Sequence, residues 1–425
     1  MKIHIKGGRL IDPKSGVDAK KDVYIAAGKV VAIGDAPSGY SANRVIDASG
    51  LVVCPGLVDL AARLREPGFE YMATLESEME AAIAGGVTTL ACPPDTDPPL
   101  DEPGLVEMLK FRAKNLNQAH LYPVGALTQG LKGERLTEMA ELADAGCVAF
   151  SQADAPFADN LIFYHALQYA ATFGFPVWLR PQDPALARHG VAHDGAVATR
   201  YGLAAIPVCA ETVALSTIFL LVRETGARVH LARLSSAEGV EMVRQAKRQG
   251  LAITCDIAAH HAHLTELDIG YFDSNSHLNP PLRSPRDRDA LRAALADGTA
   301  DALCSDHTPV DEDVKHLPFA EAEAGATGLE LLLPLTLKWA EESKVALGAA
   351  LAKITSDAAR VLNVDTGHVT LGHAADICIF DPGRHWKVEA GALKSQGKNT
   401  PYVGLELKGK VRCTLVDGQI VYEIK

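Results

Sequence analysis

The pattern of hydrophobic and polar positions changes twice along the chain. Short stretches with strand-like alternation, such as "KIHIKGGRLID" and "DVYIAAGKVVAIGD", occupy roughly the first 53 residues. Similar stretches, such as "ADICIFD" and "GKVRCTLVDGQIVYEIK", return from about residue 365. Between these ends, apolar runs of strand length alternate with helical patterns. The pattern predicts one β module built from both ends of the chain, around a long α/β middle.

The middle of the chain is predicted to hold eight strands separated by helices. The strands are expected at residues 57–64, 88–93, 120–126, 147–151, 176–180, 228–234, 251–258 and 300–305. Helices between them are expected at residues 72–84, 160–173, 211–225 and 237–249, among others. Eight such units are typical of a (β/α)8 barrel. A doubly wound sheet is the alternative, weakened because no glycine-rich phosphate turn follows the first strand.

These patterns divide the chain into two predicted domains. A (β/α)8 barrel is expected over residues 54–364, and a composite β-sandwich domain over residues 1–53 and 365–425. The length of 425 residues suits a large barrel with a modest second module.

Composition and charge narrow the class of protein. A chain that is 48% hydrophobic and 22% charged is typical of a globular protein. Its formal net charge of −12 argues against a nucleic-acid partner or an anionic membrane surface. The start lacks an apolar signal core, and no apolar run is long enough for a membrane span. The eight cysteines are scattered, which indicates buried thiols of a reduced cytoplasmic protein.

Arginine dominates the positions where a barrel enzyme carries its chemistry, the carboxyl ends of the strands. These ends hold Ala61, Arg63, Asp95, Gln152, Arg180, Arg233, His260, His261 and Asp306. Arginine stays protonated and has no acceptor, so it cannot bind a metal ion. One arginine about 5 Å from a dication would repel it by roughly 6 to 7 kcal/mol at an effective dielectric of about 20. Arg63, Arg180 and Arg233 therefore argue against a metal centre, unless they lie on the rim and face water.

Two further features of the strand ends are each open to two interpretations. Asp306 in "DALCSDHTPV" could act as a general base, or it could pair with a neighbouring arginine. His260, His261 and His263 in "AAHHAHLT" are the best remaining candidates for a metal site, although such clusters also occur at loop and subunit contacts.

The segment "SHLNPPLRSPRDRDAL" carries an amide and a guanidinium on a proline-rich loop. Asn279 and Arg283 could hold a polar ligand there. The same residues could equally form a tight turn, with Ser284 capping the next helix.

Several motifs, taken in order, resemble the cyclic amidohydrolases, and specifically dihydroorotases of the long bacterial type. They are "CPGLVDLAARLREPGFEYMATLESEMEAAIAGGVTTLACPPDTDPPLD", "SHLNPPLRSPRDRDAL", "DALCSDHTPVDEDVKHLPFAEAEAGATGLELLLPL" and "GKNTPYVGLELKGKVRCTLVDG". The resemblance covers nearly the whole chain. It implies an amidohydrolase-superfamily barrel with a composite sandwich.

The resemblance also implies a set of metal ligands, and this chain departs from that set. The family's first strand carries Asp-x-His-x-His-x-Arg; Asp59 and Arg65 match it, but Ala61 and Arg63 stand at the histidine positions. The bridging ligand of the fourth strand falls on Gln152 or Ala153, although a shift of one residue would bring in Asp154.

The later strands repeat this departure. The histidine of the fifth strand falls on Arg180, and that of the sixth falls on Arg233, although His230 remains. Asp306 matches the catalytic aspartate. Among the substrate-pocket positions, Arg65 and Asn279 match, whereas Asp95 replaces an asparagine.

With its ligands replaced, the chain is expected to be a degenerate dihydroorotase-like pseudoenzyme without a metal or other cofactor. The resemblance implies a structural subunit of pyrimidine biosynthesis that assembles with the catalytic chain of aspartate transcarbamoylase, and that also forms homo-oligomers. No nucleic-acid or membrane partner is expected. The alternative is an active metal-dependent cyclic amidohydrolase, of dihydroorotase or hydantoinase type, with a rearranged metal site on the three histidines.

A third possibility concerns the arginines themselves. Arg63, Arg180 and Arg233 could pair with Asp306 and Asp183 and keep the barrel mouth ordered. They could also bind an anion such as carbamoyl aspartate.

Overall fold

The computed structural model describes residues 1–424, which form a mixed α/β structure. Its strands are β1 Lys2–Lys6, β2 Arg9–Asp12, β3 Val17–Lys20, β4 Val23–Ala26, β5 Lys29–Ile33, β6 Arg44–Asp47, β7 Val52–Pro55, β8 Leu57–Asp59, β9 Val87–Cys92, β10 His120–Ala126, β11 Ala149–Ser151, β12 Val177–Leu179, β13 Ala192–His193, β14 Ala205–Ile206, β15 Val229–Leu231, β16 Ile253–Ala258, β17 Ala302–Cys304, β18 Ile377–Lys387, β19 Glu406–Val416 and β20 Gln419–Glu423. Its α-helices are α1 Leu75–Ala84, α2 Pro103–Leu116, α3 Met139–Ala145, α4 Asn160–Phe173, α5 Ala196–Tyr201, α6 Cys209–Thr225, α7 Ala237–Arg248, α8 Pro285–Asp297, α9 Glu312–Lys315, α10 Leu332–Ser343, α11 Leu347–Ala352 and α12 Ser356–Leu362.

Eight parallel strands form the central sheet, in the order β8, β9, β10, β11, β12, β15, β16 and β17. The first and last strands approach each other through Ala62, which pairs in parallel with His307. The His307 N–H donates to the Ala61 carbonyl at 2.9 Å, and the Arg63 N–H donates to the His307 carbonyl at 2.9 Å. The sheet is therefore a nearly closed (β/α)8 barrel, which confirms the predicted fold class over the doubly wound alternative.

The predicted strands lie where the pattern placed them, and most are shorter. β10 has the predicted bounds, whereas β8 spans three of the eight residues expected. Beyond Asp59 the chain keeps one bond to β9, from the Ala62 N–H to the Ala91 carbonyl at 3.1 Å, and it also bonds to the segment around His307. The pair β13–β14 and helix α5 form an excursion between β12 and α6 that the pattern did not predict.

Strands from both ends of the chain form a sandwich-like pair of sheets beside the barrel. A four-stranded sheet has the order β5-β4-β1-β6, and a six-stranded sheet has the order β20-β19-β18-β7-β2-β3. Ile3 and Ile25 of the first sheet share one apolar cluster with Val53, Ile377 and Leu415 of the second. The composite β module is thus present, while its exact domain limits stay a prediction.

All eight cysteines are free thiols, and seven of them are buried. Cys209, at the start of α6, is exposed and corrects the expectation that all of them lie in the core. Across residues 1–424, no helix combines the length and apolar character needed to cross a bilayer.

Candidate functional site at the barrel mouth

The side chains singled out from the sequence converge at one end of the barrel, because the strands run parallel. Arg63 and Arg65 follow β8, and Asp95, Asp154, Arg180, Arg233 and Asp306 follow β9, β11, β12, β15 and β17. Backbone strain marks the same end. The φ angles are +62° at Arg65, +50° at Ala153, +58° at Arg233 and +47° at Asp306. Non-glycine residues rarely adopt this region, and such strain concentrates at functional sites.

Asp154 is the centre of a charged cluster at the mouth. Its carboxylate accepts from Arg180 Nε, from Arg233 Nη2 at 2.6 Å and from Arg63 Nη2 at 3.3 Å. The three guanidinium groups are buried, and the Asp154 side chain is 31% exposed. The arginines therefore do not face water on the rim, which was the alternative left open by the sequence.

Two further aspartates complete this cluster. Asp306 Oδ1 accepts from Arg233 Nη1 at 3.0 Å and lies 3.5 Å from Arg63 Nη1. Asp95 Oδ2 accepts from Arg63 Nε at 2.7 Å. Three guanidinium groups thus face three carboxylates, and the formal charges cancel.

The two central carboxyl groups differ in their electrostatic balance. Burial raises the pKa of Asp154, but the guanidinium groups of Arg180, Arg233 and Arg63 outweigh it and hold that pKa well below its ordinary value. Burial also raises the pKa of Asp306, and there the arginines offset only part of the increase. Of these two carboxyl groups, Asp154 is the one whose charged form the arginines stabilise more strongly.

The donor set at the mouth does not fit the metal ion that the resemblance implies. The buried positions nearest to Asp154 and Asp306 present guanidinium N–H groups, which donate hydrogen bonds and cannot coordinate a cation. Ala61 offers only its carbonyl, and His307 occupies that carbonyl. Within residues 1–424, the groups of three or more side chains spaced for an ion both lie away from this mouth.

The remaining ligand positions are engaged elsewhere. Gln152 Oε1 accepts from Thr128 at 2.9 Å, and its Nε2 donates to the Leu131 carbonyl at 3.0 Å. His230 Nε2 lies 3.0 Å from Asp256 Oδ2, and its Nδ1 lies 2.9 Å from Thr254 Oγ1. Neither residue contributes to the charged cluster.

The positions that the resemblance assigns to a substrate pocket surround a cavity of about 220 Å³. Arg65 Nε donates to the Pro309 carbonyl at 2.8 Å, and its Nη2 lies 3.5 Å from Glu323 Oε1. The Asn279 carbonyl accepts from Arg233 Nη1 at 3.3 Å. The arginine that would bind a substrate carboxylate therefore already faces a carboxylate of the chain itself.

Two expectations about neighbouring residues need correction. Asp183 does not pair with Arg180; its Oδ1 accepts from the N–H groups of Ala185 and Leu186 at 3.0 and 2.9 Å. Arg283 does not present itself to a ligand, because its guanidinium donates to Ser235 and to the Ile206 carbonyl. The alternative for that segment is confirmed, since Ser284 caps α8 in a reciprocal capping box with Asp287.

His260, His261 and His263 do not converge on a common point. His261 Nε2 lies 3.0 Å from the Pro280 carbonyl, and His263 Nε2 lies 2.8 Å from the Leu335 carbonyl. His260 stacks on Tyr402 with ring centroids 5.7 Å apart. Burial lowers the pKa of His260 to about 3 and those of His261 and His263 to about 4. These are neutral core histidines, and the geometry lends no support to a metal site there.

Sequence reasoning missed part of the cluster. Asp154 entered only through a possible shift of one residue, although it is the central anion. Thr308, which accepts from Arg63 Nη1 at 3.0 Å, and Glu323 carried no signal because both lie in the long connection after β17. A further hint for Asp154 was the number of guanidinium groups that needed a counter-charge.

Comparison with known proteins identifies the family. Residues 50–239 match the family described as Dihydro-orotase-like, and residues 188–421 match the Amidohydrolase family. The chain is 46% identical over 429 residues to a dihydroorotase-like protein of Pseudomonas aeruginosa, with 100% of both chains covered. It is 40% identical over 423 residues to a dihydroorotase of Geobacter sp. (strain M21), again with 100% of both covered.

A solved structure shares the fold over almost the whole length. L-Hydantoinase (dihydropyrimidinase) from Arthrobacter aurescens matches with a TM-score of 0.89 and 25% sequence identity, covering 99% of this chain and 96% of that one. Since the matched families and the full-length relatives agree, the chain belongs to the amidohydrolase family, among its dihydroorotase-like members.

Proposed function

We propose that this chain is a non-catalytic dihydroorotase-like subunit that supports the assembly and activity of aspartate transcarbamoylase in pyrimidine biosynthesis. One observation carries the first half of this proposal: the charged cluster of Arg63, Arg180, Arg233, Asp95, Asp154 and Asp306 occupies the ligand positions at the barrel mouth. Metal-assisted hydrolysis of a cyclic amide needs a dication with an open position for water. The guanidinium groups supply neither a ligand nor a charge that a dication would tolerate.

Anion binding at the same mouth is a weaker candidate. Each arginine of the charged cluster already hydrogen-bonds to an aspartate, and Arg65 faces Glu323. A dicarboxylate such as carbamoyl aspartate would have to displace an internal carboxylate to bind. The charge balance therefore favours a scaffold over a regulatory anion site.

Catalysis is tested by assaying dihydroorotate hydrolysis with the purified chain after zinc or manganese is supplied. The Geobacter sp. dihydroorotase, assayed in parallel, is the active control. We expect no turnover above the uncatalysed rate. Turnover of dihydroorotate or of a hydantoin, together with stoichiometric metal at the mouth, would instead establish the active cyclic amidohydrolase.

Assembly is tested by co-expressing the chain with the aspartate transcarbamoylase catalytic chain of the same organism, followed by size-exclusion chromatography. We expect one co-eluting complex and a transcarbamoylase that loses activity without this chain. Two independent peaks, with full transcarbamoylase activity in the absence of this chain, would refute the partnership.

A further inference from the structure

We propose that His120, Asp376 and Asp417 form a divalent metal site that fastens the barrel to the sandwich-like sheets. This site goes beyond the proposed function and is separate from the charged cluster. His120 begins β10, so it lies at the amino-terminal end of the barrel, opposite the mouth. Asp376 immediately precedes β18, and Asp417 lies in the turn between β19 and β20. An ion held by these three residues would join three elements that are distant in sequence.

The three side chains have the spacing of metal ligands. His120 Nε2 lies 3.1 Å from Asp376 Oδ2 and 3.9 Å from Asp417 Oδ2. One ligand atom from each residue lies within 4.8 Å of the others. Two ligands of a tetrahedral zinc ion, each bonded at about 2.1 Å, are separated by about 3.4 Å. The observed separations bracket that value, so small side-chain movements would admit the ion.

The backbone fixes the two aspartates before any ion binds. Asp417 and Gly418 have φ angles of +47° and +66°, as in the two-residue turn of a tight hairpin. The Asp417 N–H donates to Asp376 Oδ1 at 2.8 Å. One oxygen of Asp376 thus holds the turn, while Oδ2 remains directed at His120.

The charge around the site favours a cation. Within the part of the chain that the structure describes, no lysine or arginine nitrogen lies within 4.0 Å of the Asp376 or Asp417 carboxylate. With a neutral imidazole, the group carries two negative charges that a dication would neutralise.

A second cluster with similar composition lacks this property and serves as a comparison. Asp365, His368 and His373 also have ligand spacing. Lys14 Nζ, however, lies 3.3 Å from Asp365 Oδ1 and supplies a positive charge there. The cluster around His120 is therefore the better cation site.

The surroundings offer both space and a further oxygen. His120 and Asp417 line a cavity of about 480 Å³, which leaves room for water ligands. Gln118 lines the same cavity, and its Oε1 is buried without a hydrogen-bond partner among the described residues. Nitrogen and carboxylate donors in this proportion suit zinc or a neighbouring first-row dication better than calcium.

The test uses the full chain, stripped with a chelator and titrated with zinc. Calorimetry and elemental analysis should give one equivalent bound, and the ion should raise Tm because it binds the folded state only. Asp417→Asn keeps a residue that tolerates the turn but removes the charged ligand, and His120→Ala removes the imidazole. Both variants should bind zinc at least about tenfold more weakly, since even residues behind the ligands cost ~10–100-fold when lost.

Two control variants locate the bound ion. Asp365→Asn alters the comparison cluster, and Asp306→Asn alters the mouth; both should retain the equivalent of zinc. No bound zinc in the wild-type chain, or unchanged binding in Asp417→Asn with native circular dichroism, would overturn the proposal. Loss of zinc in Asp306→Asn would instead place the ion at the mouth, which would also contradict the non-catalytic function.

Discussion

Asp154 is the shared carboxylate of the barrel mouth, since it accepts hydrogen bonds from three guanidinium groups. Replacing it by asparagine keeps the size but leaves those cations without their shared anion. Removing one partner of a buried ion pair costs ~3–5 kcal/mol. The loss for Asp154→Asn should be smaller than this range, because its side chain is 31% exposed. Urea unfolding at pH 7 measures this loss in the free energy of unfolding.

The matched control is Asp18→Asn on the surface. Asp18 makes a two-pronged pair with Arg9 at 2.7 and 2.8 Å, and both side chains are about half exposed. Exposed pairs contribute ~0–1 kcal/mol, so this variant should stay close to wild type. Equal stability losses in the two variants would mean that the charged cluster contributes no more than a surface pair.

At the same scale, the sequence identified most residues of the mouth but not their partners. Arg63, Arg180, Arg233 and Asp306 could be placed because each follows an apolar run, and parallel strands end at one side. The ion pairs between these residues were harder to predict. Asp183 is closer to Arg180 in sequence, yet Asp154 makes the contact. The end of a strand determines the position of a residue's backbone. The partner of a long, flexible side chain depends on the packing across the barrel, which the sequence pattern does not show.

At the scale of elements, the start of α8 is fixed by side chains that also reach its neighbour. Ser284 accepts from the Asp287 N–H, and Asp287 Oδ1 accepts from the Ala237 N–H at the start of α7. Ser284→Ala should cost about 1 kcal/mol, the usual loss for an N-cap. Asp287→Ala should cost more, because it removes contacts to both helices. Thermal unfolding of the two variants compares the losses.

An exposed position on the same helix controls for helix propensity. Asp289→Ala changes an exposed aspartate of α8 whose side chain pairs only with the adjacent Arg288 among the described residues. It should change the free energy of unfolding by no more than ~0.5 kcal/mol. If Ser284→Ala proves equally neutral, the capping box does not stabilise the start of α8.

Elements with strong periodicity were predictable, and short irregular ones were not. α4 has its predicted bounds, and in the structure Asp159 caps its start and Gly174 ends it at a φ of +72°. β13 and β14 have two residues each, which is too short for an alternation of hydrophobic and polar residues to be recognised. β8 and β15 are short for a different reason: the residues after their carboxyl ends turn into the mouth.

At the scale of the whole molecule, buried histidines make folding stability depend on pH. Burial lowers the pKa of His260 to about 3 and that of His261 to about 4, whereas an unfolded chain has histidines near 6.5. Between these values the unfolded state binds more protons. Stability is therefore full above about pH 6.5 and falls as the pH drops, by up to about 2 kcal/mol per histidine at pH 5.

His260→Gln tests this dependence by removing one titrating group. Urea unfolding at pH 7, 6 and 5 should show a shallower pH slope than wild type, whatever the absolute stability of the variant. His385→Gln changes an exposed histidine on β18 and should keep the wild-type slope. An unchanged slope in His260→Gln would show that His260 is not held neutral by burial.

The overall architecture could be predicted from the sequence because eight strand–helix units allow few arrangements. The contacts between the ends of the chain and the barrel could not be predicted. His120, Asp376 and Asp417 belong to three separate regular patterns, and nothing in those patterns relates one to another. Their proximity emerges only when the barrel and the sheets are packed together.

The closed charge balance of the mouth has a consequence for how such a protein can evolve. Exchanging any one of Arg63, Arg180 or Arg233 for histidine would leave two guanidinium groups opposing an incoming dication and carboxylates short of one cation. Each single step towards a metal enzyme would therefore pass through a form that is both less stable and inactive. Selection cannot favour such intermediates one at a time, so the proposed non-catalytic function would be hard to reverse in a lineage that carries this cluster.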